Sequence, residues 1–186
     1  WTLDERTNSY YLHHFLKEQP DLNWENPAVR EEMSKILAFW IARGVDGFRV
    51  DAINHIHEDA LFRNDPPEAV LASPEREAPE VRKMFSSNRP EMRNVIMMLC
   101  AAAKKYPGTF FVTESFFNLE QMLTVYQECD DVIPFNFNLL AIPWDAQQYR
   151  SFITRFYNAL PRGKIPNCVL GNHDQSRVSS RLGYQR

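Results

Sequence analysis

Four times between Asn26 and Asp174, a stretch with apolar residues at helical spacing gives way to a short β-prone run. Asn26 reads as an N-cap and Pro27 as the first residue of a helix carrying Val29, Met33, Ile36, Leu37, Trp40 and Ile41 inward. Arg43 and Gly44 close that helix, and a strand at about 45–51 follows at once. A second helix is expected over about 89–106, ended by Pro107-Gly108, then a run from Thr109 to Ser115. Its Met97-Met98 pair reads as core filler rather than a cofactor pocket. A third helix covers about 118–129 and leads into Val132–Phe137, weakened as a strand by Pro134. A fourth spans about 145–160 and leads into Asn167–Asn172. Alternation of this kind implies a parallel sheet with right-handed crossovers. The runs are nearly all apolar until their last residues, as strands buried on both faces are.

Three of the runs end in a carboxylate: Asp51, Glu114 and Asp174. A polar tip repeated after an apolar strand marks an active site at the carboxyl face of an α/β barrel or an open α/β sheet. The first tip carries more than an acid. Arg49 and Asp51 lie two apart, so on a strand they point the same way. A guanidinium beside a carboxylate keeps it ionised and fixes its rotamer, as a nucleophilic carboxylate requires. A plain structural ion pair at a strand end accounts for the same spacing. The fold class expected is α/β, part of a TIM (β/α)8 barrel, with about four βα units, half of the eight that close one. Residues 57–87 form a long inserted loop broken by Pro66, Pro67, Pro74 and Pro79, read as a lid over the site with one short helix.

Composition narrows the function classes. A chain of 186 residues can bury one core. Its net charge of −3, with no basic stripe, excludes nucleic acid and anionic membrane as expected partners. No run approaches a membrane span. Cys100, Cys129 and Cys168 have no zinc spacing, and their odd number argues against a disulfide framework. They are expected as reduced, buried thiols, which favours a reducing, cytoplasmic-type compartment. The sequence opens at Trp1 and ends at Arg186 as though in mid-domain, so a fragment is expected.

Three acids on one rim have two main uses. One is a metal site, with His55 and His173 as further ligands. The other is glycoside hydrolysis, which uses a nucleophile and an acid/base about 5–5.5 Å apart for retention. Arg49 weighs against a metal, because a cation beside Asp51 competes for it. His13-His14 lie upstream in a segment without other evident ligands. Glu114 follows Phe110, Phe111 and Val112 and is expected to be partly desolvated and to hold its proton. Phe116, Phe117 and Phe135 offer an apolar wall for a sugar ring, against core packing as the plainer role. The plainer role for Asp174 is a cap on the next helix.

Gly47-Phe48-Arg49-Val50-Asp51, Thr113-Glu114 and Asn172-His173-Asp174 resemble three signature regions of the α-amylase superfamily, glycoside hydrolase family 13. Gln19-Pro20-Asp21-Leu22-Asn23 is similar to the extra signature of its α-glucosidase branch, which includes oligo-1,6-glucosidases and maltases. Phe39-Trp40 and Pro134-Phe135-Asn136-Phe137 extend the likeness along nearly the whole chain. The resemblance implies Asp51 as nucleophile, Glu114 as general acid/base and Asp174 as the third catalytic carboxylate, gripping sugar hydroxyls in the transition state. It implies Arg49 and His173 as substrate-site residues, Arg49 positioning Asp51 and His173 binding a hydroxyl. Residues 26–186 would be the second half of the catalytic barrel and 1–25 the end of an inserted subdomain or loop.

The activity implied is a retaining exo-α-glucosidase acting on small oligosaccharides or α-glucosides, with transglycosylation beside hydrolysis. Ala52 after the nucleophile tilts linkage preference towards α-1,4 or mixed. No cofactor is implied; His55 falls where related amylases place a histidine near Ca2+, whose other ligands have no assignable counterpart. Two rivals stand: a non-catalytic relative such as the ancillary heavy chain of an amino-acid transporter, and a metal-dependent barrel hydrolase.

Overall fold

The computed structural model describes residues 1–65, 70–71, 80–81 and 85–183. The chain opens with an antiparallel hairpin of β1 (Thr2–Asp4) and β2 (Ser9–Tyr11), pairing Thr2 with Tyr11 and Asp4 with Ser9. Helix α1 (Pro27–Ile41) starts as its sequence dictates: the Asn26 side chain accepts from the Ala28 N–H at 3.0 Å, and Pro27 needs no partner there. The turn that follows it closes at Gly44, whose φ of +90° suits a residue without Cβ. The Gly44 N–H donates back to the Ile41 carbonyl at 2.9 Å. The next turn delivers β3 (Gly47–Val50).

A 3-10 turn at Ile53–His55 leads into the excursion. There β4 (Val70–Leu71) pairs antiparallel with β5 (Glu80–Val81). The expected lid and short helix otherwise fall on 66–69, 72–79 and 82–84, outside the described residues. The two ends of the excursion are stitched together. Asp59 donates its N–H to the Phe85 carbonyl at 2.9 Å, and the Phe85 N–H donates to Asp65 at 2.6 Å. Asp59 also takes both prongs of the Arg63 guanidinium, at 2.8 and 2.6 Å.

The remaining elements are α2 (Met92–Lys105), β6 (Phe110–Thr113), α3 (Leu119–Glu128), β7 (Val132–Pro134), α4 (Asn138–Ala141), α5 (Ala146–Ala159) and α6 (Val178–Arg181). Helix α3 opens on a capping box: Asn118 and Gln121 each accept from the other's backbone N–H. Asp145 caps α5 by accepting from the Gln148 N–H at 2.8 Å. Strands β3, β6 and β7 form one parallel sheet with β6 in the middle. The core lies between that sheet and helices α2, α3 and α5. Val95, Leu99, Met122, Tyr126, Phe111, Val132 and Phe156 are buried there.

Three expectations need correction. The run Asn167–Asn172 joins no ladder and bends at Leu170; its one backbone bond to the sheet side runs from the Val169 N–H to the Asn136 carbonyl, 3.3 Å. Strand β7 is the outer strand of this sheet, but it is only three residues long and ends at Pro134, which has no N–H to offer a fourth strand, and the chain then turns into α4 at Asn138. Cys168 consequently lies exposed, while Cys100 and Cys129 are buried as expected. Lastly, α1 buries no residue fully: Leu37 packs against the core, but Ile36, Phe39 and Trp40 remain 47% exposed. Within this chain α1 packs chiefly on α2, which covers only part of its apolar face.

Gly47 shows how closely β3 and β6 approach. A Cβ there would stand 2.8 Å from the Phe110 carbonyl oxygen and 2.8 Å from its ring. The oxygen is backbone and cannot swing away. Gly47→Ala in the full-length protein is therefore expected to cost about 1–3 kcal/mol, read as a lower urea midpoint; an unchanged midpoint would mean the strands are not this close.

Candidate active site

The register of the sheet builds the site. Val50 of β3 lies opposite Thr113 of β6, and Thr113 opposite Pro134 of β7. The strands therefore end level, and the next residues, Asp51, Glu114 and Phe135, emerge on one rim. Backbone bonds lock this: the Glu114 N–H donates to the Val50 carbonyl at 2.8 Å, and the Ile53 N–H to the Glu114 carbonyl at 3.0 Å. Between Asp51 and Ile53 the chain turns through Ala52 at φ +45°, a left-handed conformation that costs a non-glycine residue about 1–2 kcal/mol. Ile53, fully buried, holds the turn from one side. The turn aims the Ala52 N–H at Glu114 Oε2, 3.3 Å away.

Arg49 sits between the two acids. One guanidinium nitrogen donates to Asp51 Oδ1, and the other lies 2.7 Å from Glu114 Oε2. The acids differ in exposure: the Asp51 side chain is 70% exposed, that of Glu114 9%. Their proton affinities diverge accordingly. Glu114 is pushed above the usual carboxylate range first by burial and next by the Asp51 carboxylate, against the pull of the Ala52 N–H and the Arg49 charge. Asp51 is held below it first by the hydrogen bond from the Glu114 carboxyl; burial opposes, and the Arg49 charge and hydrogen bond, with the charge of His173 when protonated, lower it further. Asp51 is thus made the stronger acid of the pair and Glu114 the weaker. That division of labour lets two carboxyls act as nucleophile and general acid.

The other expected site residues are less tightly engaged. His173 Nε2 lies 3.4 Å from Asp174 Oδ2, and both side chains are exposed. Among the described residues Asp174 bonds to neither Asp51 nor Glu114 through its side chain. Nor does it cap a helix. Asn172 takes the local turn instead, accepting from the N–H groups of Asp174 at 3.1 Å and Gln175 at 2.9 Å. Of the expected aromatic wall, Phe117 is buried in the core, while Phe116 stays 40% exposed. Phe116 packs on Phe137 with ring centroids 4.9 Å apart, and Phe137 on Phe135 at 5.6 Å. Phe137 is the member of this group that sequence reasoning missed; its two-residue offset from Phe135 was the available signal.

Two concavities lie away from the acids, one against the β1–β2 hairpin and one between Val45, Asp46 and Pro107 at the amino end of the sheet. Among the described residues one cluster has the makings of a cation site: ligand atoms of His14, Asp21 and Glu58 lie within 4.8 Å of one another. His14 is therefore not in a ligand-free segment. The Asp21 N–H donates to the Leu12 carbonyl at 3.0 Å, closing the loop between them, and His14 Nε2 is turned to the Ser86 carbonyl at 2.8 Å. His55 points its Nδ1 at the same carbonyl, 3.3 Å away.

The whole chain, residues 1–186, matches the family described as the alpha amylase catalytic domain. It is 36% identical to an alpha-glucosidase of Culex pipiens over 199 aligned positions, covering all of this chain and 34% of that protein. It is 33% identical to an amino acid transporter heavy chain of Homo sapiens, again over its full length and 29% of the relative. The solved structure of an alpha-glucosyl transfer enzyme, XgtA, superposes with a TM-score of 0.79 at 30% identity, covering 95% of this chain and 34% of that one. The chain thus spans about a third of the length of the relatives it matches. Its solved relatives are TIM-barrel enzymes, and the three parallel strands here are part of such a barrel. With its strand tips, its rim of acids and its full-length match in agreement, this chain belongs to the α-amylase superfamily, glycoside hydrolase family 13.

Proposed function

We propose that the protein carrying this chain is a retaining exo-α-glucosidase that removes terminal glucose from short α-glucosides. The observation that supports it most is the unequal pair of acids joined by Arg49: Asp51 exposed, with its proton affinity lowered, and Glu114 buried, with its proton affinity raised. The relatives named alpha-glucosidases and maltases, from mosquitoes, honeybee and fruit flies, agree with this reading. In it, residues 26–186 supply the second half of the barrel and 1–25 the end of an inserted subdomain or loop. A small oligosaccharide enters with its terminal ring over the rim. An Asp51 oxygen attacks the anomeric carbon as the bond to the leaving oxygen breaks, and Glu114 gives that oxygen its proton. Water then attacks the same carbon from the vacated side. Glu114, now a carboxylate, takes the water's proton, and the bond to Asp51 breaks. A sugar hydroxyl in place of water gives transglycosylation. Asp174 and His173 bind ring hydroxyls, and linkage preference is α-1,4 or mixed. No cofactor enters these steps.

The heavy-chain relative favours a second reading, a non-catalytic partner subunit. Arg49, Asp51 and Glu114, all present and in contact, speak for the enzyme. In the full-length protein a fluorinated glucosyl fluoride should leave a glycosyl adduct on the peptide containing Asp51, detected by mass spectrometry. Asp51→Asn should abolish both adduct and turnover with the fold retained. An adduct elsewhere, or ordinary turnover by that variant, would overturn the nucleophile assignment. Glu114→Gln should lower kcat for a substrate with a poor leaving group by about 10²–10⁴-fold.

The pH profile follows from the shifts. Activity requires Asp51 ionised, so kcat/KM rises with pH through a value below the ordinary aspartate range. It requires Glu114 protonated, so kcat/KM falls again as pH rises through a value above the ordinary glutamate range. The Arg49 charge lowers both values, so Arg49→Gln should move both limbs to higher pH. Limbs that stay in place would show that Arg49 does not set these charges.

A further inference from the structure

The loop bearing His173 and Asp174 hangs from no strand, since the run before it joins no ladder. Its own Asx turn at Asn172 shapes its tip but does not attach it to the sheet. Apart from the single backbone bond from the Val169 N–H to the Asn136 carbonyl, the attachment comes from Arg181, the last residue of α6. Its guanidinium donates through Nη1 to the Leu140 carbonyl at 2.7 Å, through Nη2 to the Leu170 carbonyl at 2.5 Å and through Nε to the Ser176 carbonyl at 3.3 Å. Leu170 and Ser176 are the two feet of the loop; Leu140 belongs to α4, the helix that follows β7. One planar cation therefore closes the loop at its base and ties it to an element carried by the sheet. Among the described residues Arg181 has no carboxylate partner, so its fork is spent on backbone oxygens. A fork of fixed geometry holds three acceptors in a relation that a flexible ammonium cannot reproduce.

We infer that Arg181 is a positioning residue: by clasping the carbonyls of Leu140, Leu170 and Ser176, it sets where His173 and Asp174 stand relative to Asp51. The inference rests on the proposed role of Asp174 and His173 in holding the sugar. Arg181 itself touches no substrate. Its effect is transmitted through the placement of the loop, and small displacements of a positioning group are expensive in rate.

The test is a double-mutant cycle in the full-length enzyme, with rates normalised to sites counted by the fluorosugar adduct. Arg181→Ala should lower kcat/KM about ten- to a hundredfold per competent site, mostly in kcat. Arg181→Lys, able to reach one carbonyl at a time, should recover only part of it. In an Asp174→Asn background the Arg181→Ala step should cost less than about twofold, because the residue it positions is already disabled. Equal losses in both backgrounds, or full activity per counted site, would overturn the inference. Amide exchange reads the clamp without relying on catalysis: Arg181→Ala should speed exchange across residues 171–176 about tenfold or more, leaving β6 unchanged. Unchanged exchange in that loop would overturn the inference even if the glycosidase reading holds. An absent adduct on wild-type Asp51 would instead count against that reading.

Discussion

The site depends on one guanidinium shared between two carboxyl groups at the ends of neighbouring parallel strands. Two like charges 4 Å apart repel by about 4 kcal/mol at an effective dielectric near 20, so two acids pressed together do not both ionise freely. The rim resolves this with asymmetry. Glu114 sits buried, where desolvation favours its neutral form, and Asp51 stands in solvent beside Arg49. A hydrogen bond between the two carboxyls, donated by Glu114, is the largest influence lowering the aspartate. Each acid thus strengthens the other's assignment. The arrangement is possible because Val50 and Thr113 are in register: a shift of one residue would turn either acid to the far side of its strand.

Much of this could be read from residue order alone, because the signals are local. Asn26-Pro27 and Arg43-Gly44 mark both ends of α1, and the Asn118–Gln121 box marks the start of α3. The i, i+2 spacing of Arg49 and Asp51 is enough to predict their contact once β3 is a strand. The burial of Glu114 followed from the apolar residues before it. The link from Arg49 across to Glu114 was beyond such reading, since it needs the register of two strands far apart in sequence, Arg49 lying opposite Val112.

What failed to be read depends on long-range geometry. The run Asn167–Asn172 has strand-like residues, but the strand it would pair with, β7, is only three residues long and ends in a proline that offers no N–H. The apolar stripe of α1 has helical periodicity, yet periodicity says which face is apolar and not how much of it this chain can cover. His14, Asp21 and Glu58 meet only because the chain folds back between Leu12 and Asp21 and the turn after β3 brings Glu58 alongside. The clasp of Arg181 is invisible for the same reason: its acceptors are backbone oxygens, which have no signature in a sequence.

The most direct measure of the central claim is the ionisation of the two acids themselves. Carboxyl carbons of the full-length protein, labelled at Asp and Glu and assigned with Asp51→Asn and Glu114→Gln, can be titrated by nuclear magnetic resonance without substrate. The account predicts a pH range in which Asp51 is already ionised while Glu114 is still protonated, with Asp51 titrating below and Glu114 above ordinary carboxyls. Two carboxyls titrating together in the ordinary range, or Glu114 losing its proton before Asp51, would contradict it.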